Sequence, residues 1–444
     1  MQVNCFAAPG DALEELERAW RISDELFRLV NGAWSAKPIP LRHPFVFYLG
    51  HLPAFAWNQI GRGVLGAPPI DATFEDLFER GIDPSPKEIG SEDGRNPWPN
   101  IDAVLEYKRL VRDEVRRVYA EVDACEREPL CQHNRVVQLV LEHELMHHET
   151  LSYMIKELDH ARKRRPDSIP PPVRSAHVPE EEMVAISGGS ATLGADFEEV
   201  QFGWDNEFPS CERRVENFHL GRLPVTIGEY FRFVKAGGYD DPALWSVEGL
   251  SWIRRANRRH PQGWFRRDRT WMVRTFFEDV PLEEVLGWPV LVTQIEAESY
   301  ARWVDARLPT EAELHRAAYG TPAGPQRPFP WGDDEPRPEH GNFGLRCLDP
   351  IPVGLAPAGA SAFGIEELVG NGWEWTSTPF GPLPGFEPWM DTYPGYSADF
   401  FGGEHYVVFG GAWATHPRLL RKSFRNWFQR WYPYAAATFR CVRT

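Results

Sequence analysis

The segment from residue 165 to residue 182, RPDSIPPPVRSAHVPEEE, constrains the fold of this chain more than any other. It contains five prolines, and each proline lacks a backbone N–H and clashes with the preceding turn of a helix. We therefore expect residues 166–182 to form an extended linker. At 444 residues the chain is too long for one ordinary core. The sequence predicts one domain over residues 1–165 and another over 183–444.

The part before the linker shows the 3.6-residue apolar repeat of amphipathic helices. Four helices are predicted, over residues 11–31, 44–60, 100–124 and 134–161. Four helices of this length fit an antiparallel bundle, in which cofactor sites are assembled from inward-facing side chains.

The part after the linker differs in composition. Short β-like segments, such as residues 183–187 and 215–220, are separated by clusters of Gly, Pro, Asn and Asp. Two short helices are predicted, near residues 227–235 and 294–306. Most of the 18 tryptophans lie after position 200, which is typical of irregular segments held in place by large rings. The predicted fold class is α+β, a helical bundle followed by a domain with little regular structure.

Charge and hydropathy exclude several classes of function. The net charge of −16 argues against non-specific binding to nucleic acid or to acidic membranes. No run approaches the ~20 apolar residues that span a bilayer, and the first residues do not resemble a signal peptide. The six cysteines are scattered without a CxxC pair. We expect a cytoplasmic enzyme that acts on small molecules.

The sharpest local motif is HELMH at residues 143–147. Histidines at positions i and i+4 of a helix lie on one face and can bind the same metal ion. Neutral imidazole suits Fe, Zn, Cu or Ni, so the pair alone does not identify the metal. His51, in an apolar stretch of the second helix, is the candidate third ligand alongside His143 and His147. A three-histidine face leaves open positions on the metal, which suits an oxygen-using Fe(II) that holds substrates.

Other interpretations of these residues stay open at this point. The histidines could be core residues satisfied by hydrogen bonds. The same motif also fits a zinc hydrolase with Glu144 as general base, and the second half could be a non-enzymatic binding module. A cysteine-dependent oxidase requires paired active-site cysteines, and Cys347 and Cys441 show no such pattern.

The second half carries six short motifs, each weak alone but specific as an ordered set. They are PVTIGEY (224–230), RLPTEAE (307–313), PWG (330–332), GNGWEWT (370–376), GGAW (410–413) and FRNW (424–427).

With these motifs the chain resembles two known folds joined together. Residues 1–165 look like a DinB-type four-helix bundle. Residues 183–444 look like the formylglycine-generating-enzyme (sulfatase-modifying factor) fold, which is C-type-lectin-like. This pairing resembles the ergothioneine sulfoxide synthases (EgtB-like enzymes), whose architecture also occurs in ovothiol enzymes and in the selenoneine synthase (SenA) branch. The resemblance covers essentially the whole chain.

The resemblance implies a reaction and a cofactor. In that family three bundle histidines hold Fe(II), and they match His51, His143 and His147. The family's substrate is hercynine, the trimethyl betaine of histidine. Its imidazole C2 receives sulfur or selenium from a donor with O2 as oxidant, which gives a sulfoxide or a selenoxide.

The resemblance also implies residues for the second half. Tyr393 and Tyr396 match the family's tyrosines, one of which is implicated in proton delivery, and we favour Tyr393. Asn426 and Trp427 match the segment that lines the betaine pocket. Aromatic faces hold a quaternary ammonium well, at about 2 kcal/mol or more for a desolvated contact.

Three departures from the family pattern concern the substrates. Met146 stands where the best-known branch has a glutamine that hydrogen-bonds the imidazole. Phe428 stands where that branch has an aspartate for the amino group of γ-glutamylcysteine, and Arg95 lacks a second arginine beside it. Because an amino-acid donor needs charged partners, the sequence favours a selenosugar or a cysteine-type thiol, with a slight preference for the selenosugar.

Overall fold

The computed structural model describes residues 10–79, 81, 98–125 and 129–443. These residues form two compact units. The bundle unit comprises the chain up to Ile169 together with Trp389–Tyr393, and the sheet unit comprises the rest of the described chain from Pro170 onward. The bundle unit thus includes a short segment, residues 389–393, that the boundaries predicted from the sequence place in the second domain.

Within the described residues, the bundle unit contains five α-helices and one π-helix. They are α1 (Ala12–Leu29), α2 (Phe45–Trp57), the π-helix (Asn58–Val64), α3 (Ala72–Phe78), α4 (Ile101–Asp123) and α5 (Arg135–Glu157).

The four predicted helices are confirmed as α1, α2, α4 and α5, with ends that differ by a few residues. Local chemistry sets several of these ends: Asp11 caps α1 and Asn100 caps α4, each by accepting a backbone N–H in the first turn. Two elements were not predicted. Helix α3 is only seven residues long and is capped by Asp71, and the π-helix continues α2 without a break.

Helix α2 is the centre of this unit. All 13 of its residues are buried, because it contacts α3, α4 and α5, while α1 packs against α5. A helix that is apolar all round has no solvent face. The two histidine-bearing helices, α2 and α5, are therefore neighbours in the core.

In its described residues, the sheet unit consists of short strands, four α-helices and long irregular connections. Its helices are α6 (Ile227–Lys235), α7 (Val247–Arg255), α8 (Gln294–Trp303) and α9 (Glu311–Tyr319). Its strands are β1 (Met183–Ile186), β2 (Gly189–Leu193), β3 (Cys211–Val215), β4 (Phe218–Gly221), β5 (Trp264–Arg267), β6 (Thr270–Arg274), β7 (Asp279–Pro281), β8 (Trp373–Pro379), β9 (His405–Phe409), β10 (Asn426–Gln429), β11 (Ala437–Thr438) and β12 (Val442–Arg443).

The strands form four small sheets, ordered β1-β4-β12, β2-β3, β5-β6-β7 and β10-β9-β8-β11. The predicted strand over residues 215–220 is wrong at residues 216–217, because β3 ends at Val215 and β4 begins at Phe218. The α+β fold class, with a helical part followed by a part with little regular structure, is confirmed.

Two of the ordered motifs begin helices. In PVTIGEY and RLPTEAE, Thr226 and Thr310 cap helices α6 and α9, and Glu229 and Glu313 reach back to the backbone N–H of the capping threonine. These reciprocal bonds form capping boxes. The two motifs therefore define local structure in the sheet unit.

Buried ion pairs account for parts of two further motifs. Arg440 binds Glu374 of GNGWEWT, with 2.7 Å between Nε and Oε2, and both side chains are almost fully buried. Arg425 of FRNW binds Glu311, with 2.7 Å between Nε and Oε1. Removing one partner of such a pair leaves an uncompensated buried charge, which costs about 3–5 kcal/mol.

Residues 166–182 contain neither helix nor strand, as the prolines predict. The segment is nonetheless anchored on the sheet unit, since Trp288 donates its indole N–H to the Val173 carbonyl at 2.7 Å. In the described part of the chain, the helices are all too short or too polar to cross a membrane.

Candidate functional site

Three buried histidines converge inside the bundle unit. His51 on α2 and His143 and His147 on α5 each offer one ring nitrogen, and these nitrogens lie within 4.8 Å of one another. The Nε2 atoms of His143 and His147 are 3.2 Å apart. The structure thus brings together all three residues that were predicted as metal ligands.

The proton of His51 is fixed by its surroundings. Its Nδ1–H donates to the Phe78 carbonyl at 2.7 Å, since a carbonyl can only accept. The proton on Nδ1 leaves the lone pair on Nε2. Metal-binding histidines usually donate their other ring N–H to such an acceptor, so His51 has the tautomer that a ligand needs.

The three imidazoles are held in the neutral form. Burial lowers the pKa of His51 to about 4. Burial, reinforced by the neighbouring histidines, also keeps the pKa values of His143 and His147 well below the usual range. Neutral imidazole is the form that binds a metal, and the donor set fits Fe(II) among the metals that accept nitrogen ligands.

Aromatic rings line the histidine cluster. Phe55, one turn after His51 on α2, stacks on His143 with ring centroids 3.6 Å apart. The Tyr393 ring contacts Phe55 as well, with 5.3 Å between the ring centroids in a T-shaped arrangement. Tyr48 lies 5.8 Å from the His147 ring. Of the two predicted tyrosines, Tyr393 is therefore the one that belongs to the bundle unit, where it contacts the ring that stacks on His143.

Glu144 of the HELMH motif is engaged elsewhere. Its carboxylate accepts a hydrogen bond from Ser23 of α1, and Ser23 also contacts the His148 ring at 2.9 Å. Glu144 is 2% exposed, and burial raises its pKa. A carboxyl held against α1 is not placed as a general base, so the arrangement argues against a zinc hydrolase.

Tyr396 and Trp427 lie in the sheet unit among other rings. Tyr396 stacks on Trp204 at 4.1 Å and meets Trp427 edge-on at 5.5 Å. Trp427 also stacks on Phe380 at 4.0 Å. Asn426 precedes Trp427 on β10 and accepts its backbone N–H at 2.8 Å. The aromatic surroundings of Trp427 are compatible with a pocket for a quaternary ammonium, which stays a prediction.

Phe428 lies on the opposite face of β10 from Trp427, since side chains alternate along a strand. It stacks on Tyr432 at 5.7 Å and meets Trp375 at 6.5 Å. Both contacts are with aromatic rings, in keeping with the apolar character that the sequence assigned to this position.

Met146 and Arg95 complete the predicted set. Met146 is partly buried on α5, between the two histidines of the motif. Arg95 lies outside the described residues, so its role as a substrate contact stays a prediction.

Sequence reasoning missed two contributors to the cluster. Phe55 could have been found, because it follows His51 by four residues and so shares its helix face. Phe78 contributes through its carbonyl oxygen at the end of α3, a backbone group that no residue type identifies.

Two cysteines bear on the alternative of a cysteine-dependent oxidase. Cys347 and Cys441 are free thiols, the first partly buried and the second buried, and burial raises the pKa of both. Reactive cysteines have lowered pKa values. A cysteine-dependent oxidase is therefore not supported by these two residues.

Family models match both halves of the chain. Residues 15–151 match the DinB superfamily, and residues 170–444 match the sulfatase-modifying factor enzyme 1-like domain. The molecule is thus a DinB-type bundle with a buried three-histidine cluster, joined to a sulfatase-modifying-factor-like domain.

Curated relatives narrow this class. A hercynine oxygenase from Mycolicibacterium smegmatis is 40% identical over 65% of this chain and 67% of its own length. The hercynine oxygenase of Mycobacterium tuberculosis is 44% identical over 56% of this chain and 57% of its own. Ergothioneine biosynthesis protein 1 of Neurospora crassa is 32% identical over 97% of this chain and 57% of its own. The chain therefore belongs to the hercynine oxygenase (EgtB-like) family, as its motifs predicted.

The chain spans little more than half the length of two of these relatives, 57% in each case. Identity with the mycobacterial proteins is concentrated in part of the chain, whereas the Neurospora protein aligns with nearly all of it.

Proposed function

We propose that this protein is a non-haem Fe(II), O2-dependent synthase that joins the sulfur or selenium of a donor to imidazole C2 of hercynine. The observation that carries the proposal is the buried cluster of His51, His143 and His147 in a member of the hercynine oxygenase family. Three neutral imidazoles fit iron, and iron held by three protein ligands would supply oxygen chemistry while leaving positions open for substrates.

The reaction balances without a further reductant. The C2–H bond of the imidazole and the S–H or Se–H bond of the donor break, and one C–S or C–Se bond forms. One oxygen atom goes to the chalcogen as sulfoxide or selenoxide, and the other leaves as water. The four electrons that reduce O2 thus come from bond formation and from oxidation of the chalcogen.

The chain's own residues orient the reactants and handle protons. Tyr393 lies against Phe55, which stacks on the ligand candidate His143, so its hydroxyl is our candidate proton donor. Tyr396 is the alternative. Asn426 and Trp427 would hold the betaine end of hercynine, the ring face through cation–π attraction and the carboxamide through its dipole.

The donor is a selenosugar or a cysteine-type thiol in this proposal. Phe428 packs on Tyr432 and Trp375, so it offers no charge to the amino group of γ-glutamylcysteine. An ammonium group desolvated without a partner costs several kcal/mol. A neutral selenosugar avoids that cost, which makes it our preferred donor.

A competition assay tests the reaction and the donor together. The 444-residue protein, loaded with Fe(II), receives hercynine, O2 and equal amounts of a 1-selenosugar, cysteine and γ-glutamylcysteine. The products are identified by mass spectrometry. The His147→Ala protein, treated in the same way, is the matched control.

We expect a selenoxide adduct of hercynine, which requires the wild-type protein and O2. A cysteine sulfoxide adduct in its place would support the synthase and reject the selenosugar. If no donor yields a hercynine adduct, the proposed function is wrong.

A further inference from the structure

The π-helix that follows α2 is an unusual element next to the histidine cluster. It covers Asn58–Val64 and continues the helix that carries His51. Single π turns are rare and occur often at functional sites, because they re-aim side chains that a regular α-helix would send elsewhere. The segment is also well anchored, since Arg62 pairs with the fully buried Glu75 of α3 at 3.1 Å.

Gln59 of this π-helix reaches the 389–393 segment. Its amide Nε2 donates to the Thr392 carbonyl at 3.3 Å, although the two residues are 333 positions apart in sequence. Gln59 is 5% exposed. This partly buried bond joins Gln59 to the residue that immediately precedes Tyr393.

Gly63, four residues after Gln59, provides the space for this contact. A Cβ atom at Gly63 would lie 2.9 Å from Cγ2 of Thr392 and 3.0 Å from the Asn58 carbonyl oxygen. Both distances are tighter than ordinary packing allows. Thr392 therefore lies directly on the surface that Gln59 and Gly63 form.

The same segment carries Tyr393 to the cluster. The Tyr393 ring meets Phe55 at 5.3 Å and Phe55 stacks on His143 at 3.6 Å, and the Tyr393 backbone N–H closes a turn on the Met390 carbonyl at 3.0 Å. The hydrogen bond from Gln59 to the Thr392 carbonyl, one residue before Tyr393, thus restrains the backbone that carries the Tyr393 ring.

We propose that Gln59 is a positioning residue that holds Tyr393 at the histidine cluster through its hydrogen bond to Thr392. The role rests on the proposed function, in which Tyr393 delivers a proton. Gln59 does not touch the reacting atoms in this arrangement. It acts by restricting where the Tyr393 hydroxyl can lie.

The first test replaces Gln59 by methionine, which has similar volume and no amide. In the Fe(II)-loaded 444-residue protein, we expect unchanged iron content but a product ratio that moves from the hercynine adduct towards oxidised donor. The expected change is roughly fivefold, the factor that corresponds to one neutral hydrogen bond. Tyr393→Phe should move the ratio in the same direction and further.

A double variant of Gln59 and Tyr393 shows whether Gln59 affects the product ratio through Tyr393 or independently of it. If Gln59 acts through Tyr393, the Gln59→Met/Tyr393→Phe protein should give the same product ratio as Tyr393→Phe alone, since residues that act as a unit are not additive. Losses that simply multiply would overturn the proposal.

A second variant, Gly63→Ala, disturbs the contact between Gln59 and Thr392 by displacing Thr392. Gly63→Ala leaves the amide of Gln59 in place but pushes on Thr392, so it should shift the product ratio as Gln59→Met does. The matched control is Gln132→Met, which removes an amide that binds Arg135 at 2.7 Å in a turn before α5. We expect the control to keep the wild-type ratio.

Hydrogen exchange supplies a readout that needs neither iron nor turnover. In the metal-free 444-residue protein, the peptide that covers residues 389–393 should exchange faster in Gln59→Met than in the wild type or in Gln132→Met. Unchanged exchange together with an unchanged product ratio overturns the positioning role. A different outcome rejects the proposed function instead: the exchange difference between Gln59→Met and the wild type is seen, but the wild type forms no hercynine adduct. The role of Gln59 in that reaction is then rejected with it.

Discussion

At the scale of single residues, His51 is prepared for a metal by an atom that belongs to another helix. The Phe78 carbonyl takes the Nδ1 proton and burial keeps the ring uncharged. His143 gains a second constraint from the stacked Phe55 ring. The groups that orient these histidines, a backbone carbonyl and an aromatic ring, thus belong to residues other than the histidines themselves, which is usual for metal sites.

Replacing His147 by alanine should abolish iron binding. The variant keeps His51 and His143 but removes one of three nitrogen donors that converge within 4.8 Å. Iron content after reconstitution with Fe(II), measured by elemental analysis on desalted protein, provides the test. An iron content equal to that of the wild type would show that His147 is not a ligand.

The histidines of the cluster could be predicted, because two of them share a helix face and the third lies in the neighbouring apolar helix. The partners of these histidines could be predicted only in part. Glu144 illustrates the limit: its position in HELMH suggests a general base, yet it accepts a hydrogen bond from Ser23, 121 residues away. Such pairings depend on which helices become neighbours.

At the scale of elements, α2 and α3 approach closely at a glycine. A Cβ atom at Gly50 would lie 2.3 Å from Cε2 of the Phe78 ring. Gly50, the residue before His51, therefore allows α2 and α3 to approach closely, and α3 carries the Phe78 carbonyl that orients His51. Helix α3 was not predicted, since seven residues are too few to show an apolar repeat.

Gly50→Ala should weaken iron binding without removing a ligand. The methyl group must displace Phe78, and overpacking of this kind costs about 1–3 kcal/mol, partly offset by the ~1 kcal/mol that alanine gains over glycine in a helix. Because Phe78 would carry its carbonyl away from His51, we expect iron affinity to fall by roughly 10–100-fold.

Competition with a chelator in the apo and reconstituted proteins measures that affinity. Gly32→Ala in the same unit serves as the comparison. No atom lies within 4 Å of its new Cβ atom, but the positive φ strains the backbone, so this variant introduces strain without displacing a neighbour. Equal iron affinity in Gly50→Ala and the wild type would contradict the proposed link between α3 and the cluster.

Of the four α-helices in the described part of the sheet unit, α6 and α8 were predicted from the sequence, whereas α7 and α9 were not. The start of α9 nonetheless carries a local signal. Capping boxes such as Thr310 with Glu313 are local signals that four consecutive residues contain. The predicted strand over residues 215–220 ran across the turn between β3 and β4, because the two residues of that turn, 216–217, carry no glycine or proline to mark it.

At the scale of the whole molecule, a buried histidine outside the cluster makes stability depend on pH. His315 of α9 is 4% exposed and packs against Tyr319 and Phe409. Burial lowers its pKa to about 4; Glu311 opposes this shift, and Arg425 reinforces it. In the unfolded chain a histidine titrates near 6.5.

The stability that neutral His315 contributes is therefore present above pH 6.5 and is lost as the pH falls towards 4, because only the unfolded chain binds the proton in that range. A shift of this size corresponds to about 3 kcal/mol. We expect His315→Leu to remove that part of the pH dependence.

Urea unfolding of the metal-free protein between pH 7 and pH 4, followed by tryptophan fluorescence, measures the effect. Most tryptophans lie after residue 200, so the signal reports mainly on the sheet unit. If the wild type and His315→Leu lose stability in parallel over this range, the assignment of the pH dependence to His315 is wrong.

Because the 389–393 segment belongs to the bundle unit, the parts of that unit are synthesised at two different stages of translation. The bundle unit takes these five positions from a part of the chain more than 200 residues beyond Ile169. When the linker, residues 166–182, has just been synthesised, the nascent chain therefore contains all three histidines of the cluster but not yet Tyr393. A gene split at the linker would leave the histidines on one polypeptide and Tyr393 on another, so the bundle unit is completed only late in the synthesis of an unbroken chain.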